Sequence, residues 1–193
     1  EQHGRGTLVF PNGGTYSGNF VHGKRHGSGT YTSADGSVYT GTFAHGRRDG
    51  GGTIVYANKA KYVGAFVADK KHGSGVMYNS SGKMLYNGEW SNDLQHGNGT
   101  KYLNDGSVYV GTLKHDKLHG SGTCTSTDST YIGEYKNNLK HGYGVYTTQN
   151  TTYEGTFVHD KKSKGRMVYS DGVVYDGDWL QDKPSGTGVY AYT

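Results

Sequence analysis

The sequence predicts an all-β protein, an elongated single-layer antiparallel sheet of consecutive β-hairpins. Three observations lead to this fold class. A Tyr-x-Gly-x-aromatic motif recurs at spacings of 22–24 residues, and a second motif, usually His-Gly-x-Gly, begins ten residues after most of its tyrosines. No segment shows a helical spacing of apolar residues with capping residues. Repeats of this length indicate an array of small structural units.

The first strand of each unit is predicted from the Tyr-x-Gly-x-aromatic motif. Residues two apart lie on the same face of a strand, so the tyrosine, the glycine and the aromatic residue share one face. Large rings can lie over neighbouring glycines, which gives a thin core without many aliphatic residues. The repeat tyrosines are Tyr16, Tyr39, Tyr62, Tyr86, Tyr109, Tyr131, Tyr153 and Tyr175.

The second strand carries the Gly-x-Gly motif and returns beside the first. Polar turns rich in Asp-Gly and Asn-Gly type sequences separate the strands. The chain then reads as one continuous array over residues 1–193, with a half repeat at 3–15 and eight full repeats that begin at the eight tyrosines. Two strands per unit predict about 10 Å of sheet per repeat, hence a rod, bent if the shorter repeats after Tyr109 change the twist. Because residue 1 is not Met, we expect a fragment of a longer array.

Composition excludes several other classes of protein. Glycine accounts for 34 of 193 residues without a three-residue period, and only two prolines are present, so collagen is excluded. No apolar run approaches the ~18 residues of a membrane-spanning helix. One cysteine excludes an internal disulfide framework. Eighteen tyrosines and a net charge of only +4 argue against a disordered chain.

At these two motifs the chain resembles the MORN (membrane occupation and recognition nexus) repeat family. The resemblance runs from residue 3 to the end, with departures where Asp49 and Ser185 replace the motif histidine and Leu113 replaces the aromatic residue. It implies an elongated antiparallel sheet of hairpins that acts as a scaffold or adaptor. The chain looks most like the array-only members, such as cytoskeletal scaffolds of protozoan parasites that are built into the cell-division apparatus.

Basic residues cluster in the turns between the first and second strand of the repeats. Clustered basic side chains attract anionic surfaces such as phosphoinositide headgroups, although acidic residues in the same turns weaken this attraction. A solvated edge with no partner is the alternative interpretation. The candidate anion-binding residues are Lys24, Arg25, Arg47, Arg48, Lys70, Lys71, Lys161 and Lys162.

The last repeats are rich in tyrosine and tryptophan, which are enriched in protein interfaces. A single-layer sheet also exposes strand edges at its ends, so we expect a homodimer through the C-terminal repeats. The alternative is that these residues only cap the last hairpin. The candidate self-association residues are Tyr169, Tyr175, Trp179, Tyr190 and Tyr192.

Histidine and cysteine give weaker candidates. All ten histidines occupy repeat positions, which predicts polar residues that close turns, with a pH-responsive row as the alternative. Cys124 occupies a core column, and a metal site formed with Asp128 is the alternative. No Ser, His or Asp forms a unique cluster, so we expect no enzymatic activity and no cofactor.

These observations predict a non-catalytic scaffold that self-associates and docks cytoskeletal or other protein partners in the cytoplasm. The alternative is a peripheral module that binds anionic phosphoinositide membranes through its basic turns. Binding of nucleic acid is not expected, because the sequence pI of about 8.9 is only mildly basic and no aromatic residues interleave with the basic ones.

Overall fold

The structure, a computed structural model, describes residues 2–192. These residues form seventeen consecutive strands of one antiparallel sheet and no helix, which confirms the predicted all-β class. The strands are β1 (Gly4–Val9), β2 (Thr15–Val21), β3 (Lys24–Thr32), β4 (Val38–Ala44), β5 (Arg47–Val55), β6 (Lys61–Val67), β7 (Lys70–Tyr78), β8 (Met84–Ser91), β9 (Leu94–Tyr102), β10 (Val108–Lys114), β11 (Lys117–Thr125), β12 (Ser129–Lys136), β13 (Leu139–Thr148), β14 (Thr151–Val158), β15 (Lys161–Tyr169), β16 (Val173–Leu180) and β17 (Lys183–Tyr192).

The chain forms two compact units, residues 1–96 and 97–193, and strands pair in chain order within each. In the first unit every strand from β1 to β7 pairs with the next one. In the second unit the part of β9 that starts at Gly97 pairs with β10, and the pairing then continues strand by strand to β17. Each unit is therefore a succession of hairpins.

The repeat tyrosines and the aromatic residues four positions later are buried on one side of the sheet, here called the aromatic face. Tyr16 contacts Phe20 of its own repeat and Phe43 of the next one, edge to face at centroid distances of 5.1 and 5.0 Å. The same double contact recurs at Tyr39, Tyr62 and Tyr153. Such pairs add ~0.5–1.5 kcal/mol each to the burial of the rings. The opposite side is called the back face.

The hydroxyl of each repeat tyrosine is hydrogen-bonded to the backbone of its own strand. All eight repeat tyrosines donate to the carbonyl three residues later, as Tyr16 does to Asn19 at 3.0 Å and Tyr109 to Thr112 at 2.8 Å. This bond holds the ring flat across the facing glycines of the strand pair. A Cβ added at Gly52 would overlap the Tyr39 ring, so glycine is required there.

The first and second strands of each repeat are joined by two-residue turns. Both turn residues have positive φ in all eight full repeats, as in His22–Gly23 of the first, at φ 49° and 71°. This is the type I′ pattern, whose twist matches that of the flanking strands. The turns are therefore shorter than the sequence suggested, and the paired basic residues that follow them already begin the second strand.

The return loops between repeats account for the change in repeat length. The first five contain five residues, such as Ser33–Ser37, whereas the last three contain two or three residues. In the longer loops an Asp or Asn side chain accepts the backbone N–H two residues later, as Asp35 does from Ser37 at 2.9 Å. The flanking strands lengthen by one or two residues where the loops shorten by two or three, so the repeat loses one residue and the two motifs stay in register.

Candidate functional site

The aromatic face of the first unit carries a cavity of about 390 Å³, here called the first cavity. Aromatic and aliphatic side chains supply its apolar walls, and a return loop and two guanidinium groups supply its polar ones. Its volume and mixed lining are typical of sites that bind a small ligand or a few side chains of a partner. The lining includes Phe10, Arg25, Tyr31, Asp35, Arg48 and Tyr56.

The aromatic face of the second unit carries a cavity of about 300 Å³, here called the second cavity. It occupies the corresponding repeat positions, but no arginine lines it. Its lining includes Leu103, Leu118, Cys124, Tyr135, Lys140 and Tyr146. The two units therefore offer sites of similar position and different chemistry.

The basic pairs at the start of the second strands divide into two classes. The first member of each pair is exposed and lies on the back face, because it pairs across the turn with a back-face residue, as Lys24 does with Val21. These residues are Lys24, Arg47, Lys70 and Lys161. The second member is half-buried and lies over the rings of the aromatic face. These residues are Arg25, Arg48, Lys71 and Lys162.

Contacts with rings restrain the second class. The Lys71 ammonium lies 4.3 Å from the centroid of Trp90, and the Arg48 guanidinium lies 5.3 Å from that of Phe66. Cation–π contacts of this kind are worth about 0.5–2 kcal/mol. Half of the anion-binding residues that the sequence suggested thus pack on the fold, and the other half face solvent.

In five of the turns the side chain of the second residue connects neighbouring repeats. This Asp or Asn accepts the backbone N–H of the second residue in the preceding second strand, as Asp160 does from Lys140 at 2.8 Å and Asn138 from Leu118 at 2.8 Å. Asp69 accepts from the Arg48 backbone at 2.9 Å and also pairs with its guanidinium at 3.2 Å. Sequence reasoning missed this role, although the regular Asp at turn position two was the signal.

The exposed cations of the first class lie beside exposed apolar side chains. Val21 is 39% exposed beside Lys24, and Val67 is 50% exposed beside Lys70. In the second unit Val158 pairs with Lys161 and Leu180 with Lys183 in the same way. Each unit therefore carries a row of alternating apolar and basic side chains on its back face, along the two-residue turns. This row is called the turn-edge row.

The C-terminal aromatic residues also fall into two groups. Tyr175 and Trp179 are buried, and the Trp179 indole donates to the Gly165 carbonyl at 2.9 Å, so both belong to the core of the last repeats. Tyr169 is half-buried, whereas Tyr190 and Tyr192 on β17 are 57% and 85% exposed. Of the five candidate self-association residues, only Tyr190 and Tyr192 have largely exposed rings.

The histidines lie at two kinds of position. His22, His45, His115 and His159 are the first residues of two-residue turns. The histidines of the His-Gly motif precede a glycine of positive φ and, except for His3, lie in the second strands. The two kinds meet between neighbouring repeats, with ring centroids 6.0 Å apart for His26 and His45.

Cys124 and Asp128 line different depressions of the surface. Cys124 lines the second cavity next to Tyr135, whereas Asp128 is exposed in a return loop and lines a separate depression. Within residues 2–192 no three His, Cys, Asp or Glu side chains are grouped as metal ligands would be.

Burial changes the ionisation of the ladder tyrosines. It raises the pKa of Tyr109, Tyr131 and Tyr153 to about 12, because the phenolate would lose its hydration in the core. Burial also raises the pKa of Tyr16 and Tyr39, against the opposing effect of the nearby arginines. These hydroxyls therefore remain neutral donors at physiological pH.

A family model described as MORN repeat matches residues 1–15, 16–38, 39–61, 62–84, 86–108, 109–130, 131–152, 153–174 and 175–193, which leaves only Leu85 unmatched. A comparison with curated proteins found no match. In the described part of the chain, no helix has the length and apolar character that crossing a bilayer requires.

Two solved structures are similar over most of the chain. The TCP domain of SAS-4 (dCPAP) of Drosophila melanogaster, in complex with a proline-rich motif of Ana2 (dSTIL), has a TM-score of 0.45 and 9% identity over 98% of this chain and 90% of that one. The TCP10 domain of Danio rerio CPAP, in complex with a peptide of STIL, has a TM-score of 0.39 and 14% identity over 97% of this chain and 93% of that one.

Proposed function

Because this chain belongs to the MORN repeat family, we propose that it is a non-catalytic docking scaffold that holds segments of partner proteins against its aromatic face. The observation that carries the proposal is the cavity on this face in each unit, of about 390 and 300 Å³, with rings as walls and loop polar groups at the rim. Apolar side chains of a partner would fill such sites, and the rim groups would fix their orientation. Cytoskeletal proteins of the cytoplasm are the proposed class of partner.

The docking function is tested by panning a library of displayed random 12-residue peptides against the full chain. Selected peptides are then titrated against Y56A, which removes a ring from the first cavity, and against V63S, which alters an exposed side chain of the back face. We expect Y56A to weaken binding and V63S to leave it unchanged. Failure to select any peptide, or loss of binding in V63S alone, would contradict the proposal.

We further propose self-association through the exposed aromatic side chains of β17. Tyr190 and Tyr192 lie on β17, which within residues 2–192 pairs only with β16. The double variant Y190S/Y192S should reduce the mass measured by sedimentation equilibrium, whereas Y143S, which changes an exposed tyrosine of the back face, should not. A monomeric wild-type chain would refute this part. Trp179→Ala is unsuitable as a test because its ring is buried in the fold.

A peripheral membrane module is the second candidate function, and the turn-edge row favours it. Exposed valines beside lysines supply the apolar contact that basic residues alone lack at a bilayer surface. Flotation with vesicles that carry a phosphoinositide, at physiological salt, separates the two candidates. Membrane binding predicts that K24E/K70E abolishes flotation and that R5E/K83E, with the same charge change elsewhere, does not. Absence of flotation by the wild-type chain excludes this candidate.

A further inference from the structure

We propose that Arg25 anchors a carboxylate-binding subsite in the first cavity, and that the protein segment docked there presents an aspartate or glutamate side chain to it. The proposal rests on the docking function and specifies the chemistry of the docked segment. It follows from the surroundings of one guanidinium group, which differ from those of its counterparts in the other repeats.

The Arg25 guanidinium is half-buried among rings and has no carboxylate partner. It lies over four rings, those of Phe10, Tyr16, Tyr31 and Phe43, at 5.1–5.8 Å from their centroids. One of its nitrogens, Nη2, donates to the Gly46 carbonyl at 2.5 Å. None of the carboxylates of residues 2–192 forms an ion pair with it. A guanidinium has five N–H donors, so several remain for a ligand.

The reason for the missing partner is the residue at the second position of the following turn. At the corresponding site of the next repeat, Asp69 pairs with Arg48 at 3.2 Å. Asp182 occupies the same turn position in the last repeat and accepts the backbone N–H of Lys162 at 3.1 Å. The turn that follows Arg25 has Gly46 at this position, which has no side chain. The repeat pattern therefore provides a carboxylate position opposite the guanidinium and leaves it empty in this repeat.

A carboxylate of a partner segment would pair with the Arg25 guanidinium better than a neutral polar group would. Arginine binds carboxylates through two parallel hydrogen bonds, and partial burial among rings reduces the screening by water. The neighbouring rings favour apolar side chains beside the acidic one. The cavity also contains Asp35, but its carboxylate accepts from the N–H and hydroxyl of Ser37 at 2.9 and 3.1 Å within its own loop. Arg25 thus remains the cation without a charged partner.

The test uses the full chain and the displayed random 12-residue peptide library. We expect selected peptides to contain an acidic residue, and replacing it by its amide should weaken binding about tenfold or more, as for a lost hydrogen bond between charged groups. R25Q should cause a similar loss. G46D should do so as well, because it supplies the internal carboxylate found in the next repeat, and an added Cβ at Gly46 meets no atom within 4 Å.

G23D is the matched control. Gly23 occupies the same turn position with φ +71°, and a Cβ there also meets no atom within 4 Å, but its turn does not follow Arg25. Peptide binding by G23D should equal that of the wild-type chain. If the selected peptides lack acidic residues, or if G46D binds them as the wild type does, the subsite is refuted while docking stands. If no peptide is selected, docking and subsite both fail. If the wild-type chain floats with anionic vesicles and R25Q abolishes this flotation, Arg25 binds a lipid headgroup instead, and the proposal is overturned.

Discussion

Two adjacent glycines of β5 show how differently the same residue type acts in this fold. Gly52 lies on the aromatic face under the Tyr39 ring, where an added Cβ would overlap the ring. Gly51 lies on the back face, where an added Cβ would meet no atom within 4 Å. The repeat motif already separates the two, because Gly51 occupies the variable position of Gly-x-Gly, where other repeats have Ser28 or Tyr143, and alternation puts it on the opposite face from Gly52.

Replacement of these two glycines by alanine should therefore have unequal effects. G52A should lower the free energy of unfolding by roughly 1–3 kcal/mol or more, since the ring must move to accept the methyl group. G51A should change it by less than about 0.5 kcal/mol. Urea denaturation followed by circular dichroism measures both. Equal effects of the two substitutions would show that the ring does not press on Gly52.

The buried tyrosines predict unfolding at alkaline pH. The unfolded chain ionises near the ordinary tyrosine pKa of 10.0, whereas burial raises the pKa of Tyr109, Tyr131 and Tyr153 to about 12 in the folded chain. A raised pKa contributes stability that is complete below pH ~10 and is lost as pH rises through the folded value. Stability should therefore fall from about pH 10 to pH 12.

Absorbance of phenolate at 295 nm, recorded together with circular dichroism, measures this effect. The decrease in stability with rising pH should be shallower in Y109F, which removes one tyrosine of raised pKa. It should be unchanged in Y192F, which alters a tyrosine that is 85% exposed. Complete tyrosine ionisation near pH 10 with the fold intact would contradict the prediction.

The two-residue turn with its Asp or Asn is the element that connects one hairpin to the next. The side chain of the second turn residue accepts a backbone N–H from the preceding repeat, and its own backbone N–H donates back, as Asp160 does to the Lys140 carbonyl at 3.0 Å. Asp and Asn also tolerate the positive φ that this turn position requires. The residue choice thus serves the turn and the link between repeats together.

Substitution of Asp160 should separate these contributions. D160A should destabilise the chain by roughly 1–3 kcal/mol, because the acceptor is lost and alanine is strained at φ 66°. D160N should be close to neutral, since Asn138 makes the equivalent bond to Leu118 at 2.8 Å. Thermal and urea denaturation measure the differences. If D160N is as unstable as D160A, the negative charge of Asp160 and not its hydrogen bond to the Lys140 backbone stabilises the chain.

At the scale of the whole molecule, contacts join each hairpin mainly to its neighbours in the chain. Among residues 2–192 the strand pairings within each unit join consecutive strands only, and a ring such as that of Tyr39 contacts its own repeat and the adjacent one. Stability in such arrays is approximately a sum over repeats and their nearest-neighbour interfaces. Destabilisation in one repeat should therefore remain local.

Hydrogen exchange measures how local the effect is. G52A should accelerate amide exchange in β4, β5 and β6 and leave β16 and β17 at the wild-type rates. V63S, on the back face of the same region, serves as the control and should leave amide exchange at the wild-type rates in all of these strands. Uniform acceleration from β2 to β17 would show that the chain unfolds as one cooperative body.

The fold class and the family follow from the amino-acid sequence alone, which also predicts where each repeat begins. A motif that recurs eight times with period-two alternation leaves few alternatives to consecutive hairpins, because each strand has its apolar residues on one face and a turn signal at each end. The ring-over-glycine core also followed from this alternation.

The surroundings of the basic and aromatic side chains, by contrast, become visible only once the strands are packed together. The sequence grouped Lys24 with Arg25, but adjacent strand residues point to opposite faces, so one is exposed and the other packs on rings. It likewise grouped Trp179 with Tyr192, although one is buried and the other is exposed. The cavities and the unpaired Arg25 arise where residues more than 20 positions apart meet across strands, and such contacts depend on register and side-chain packing rather than on local pattern.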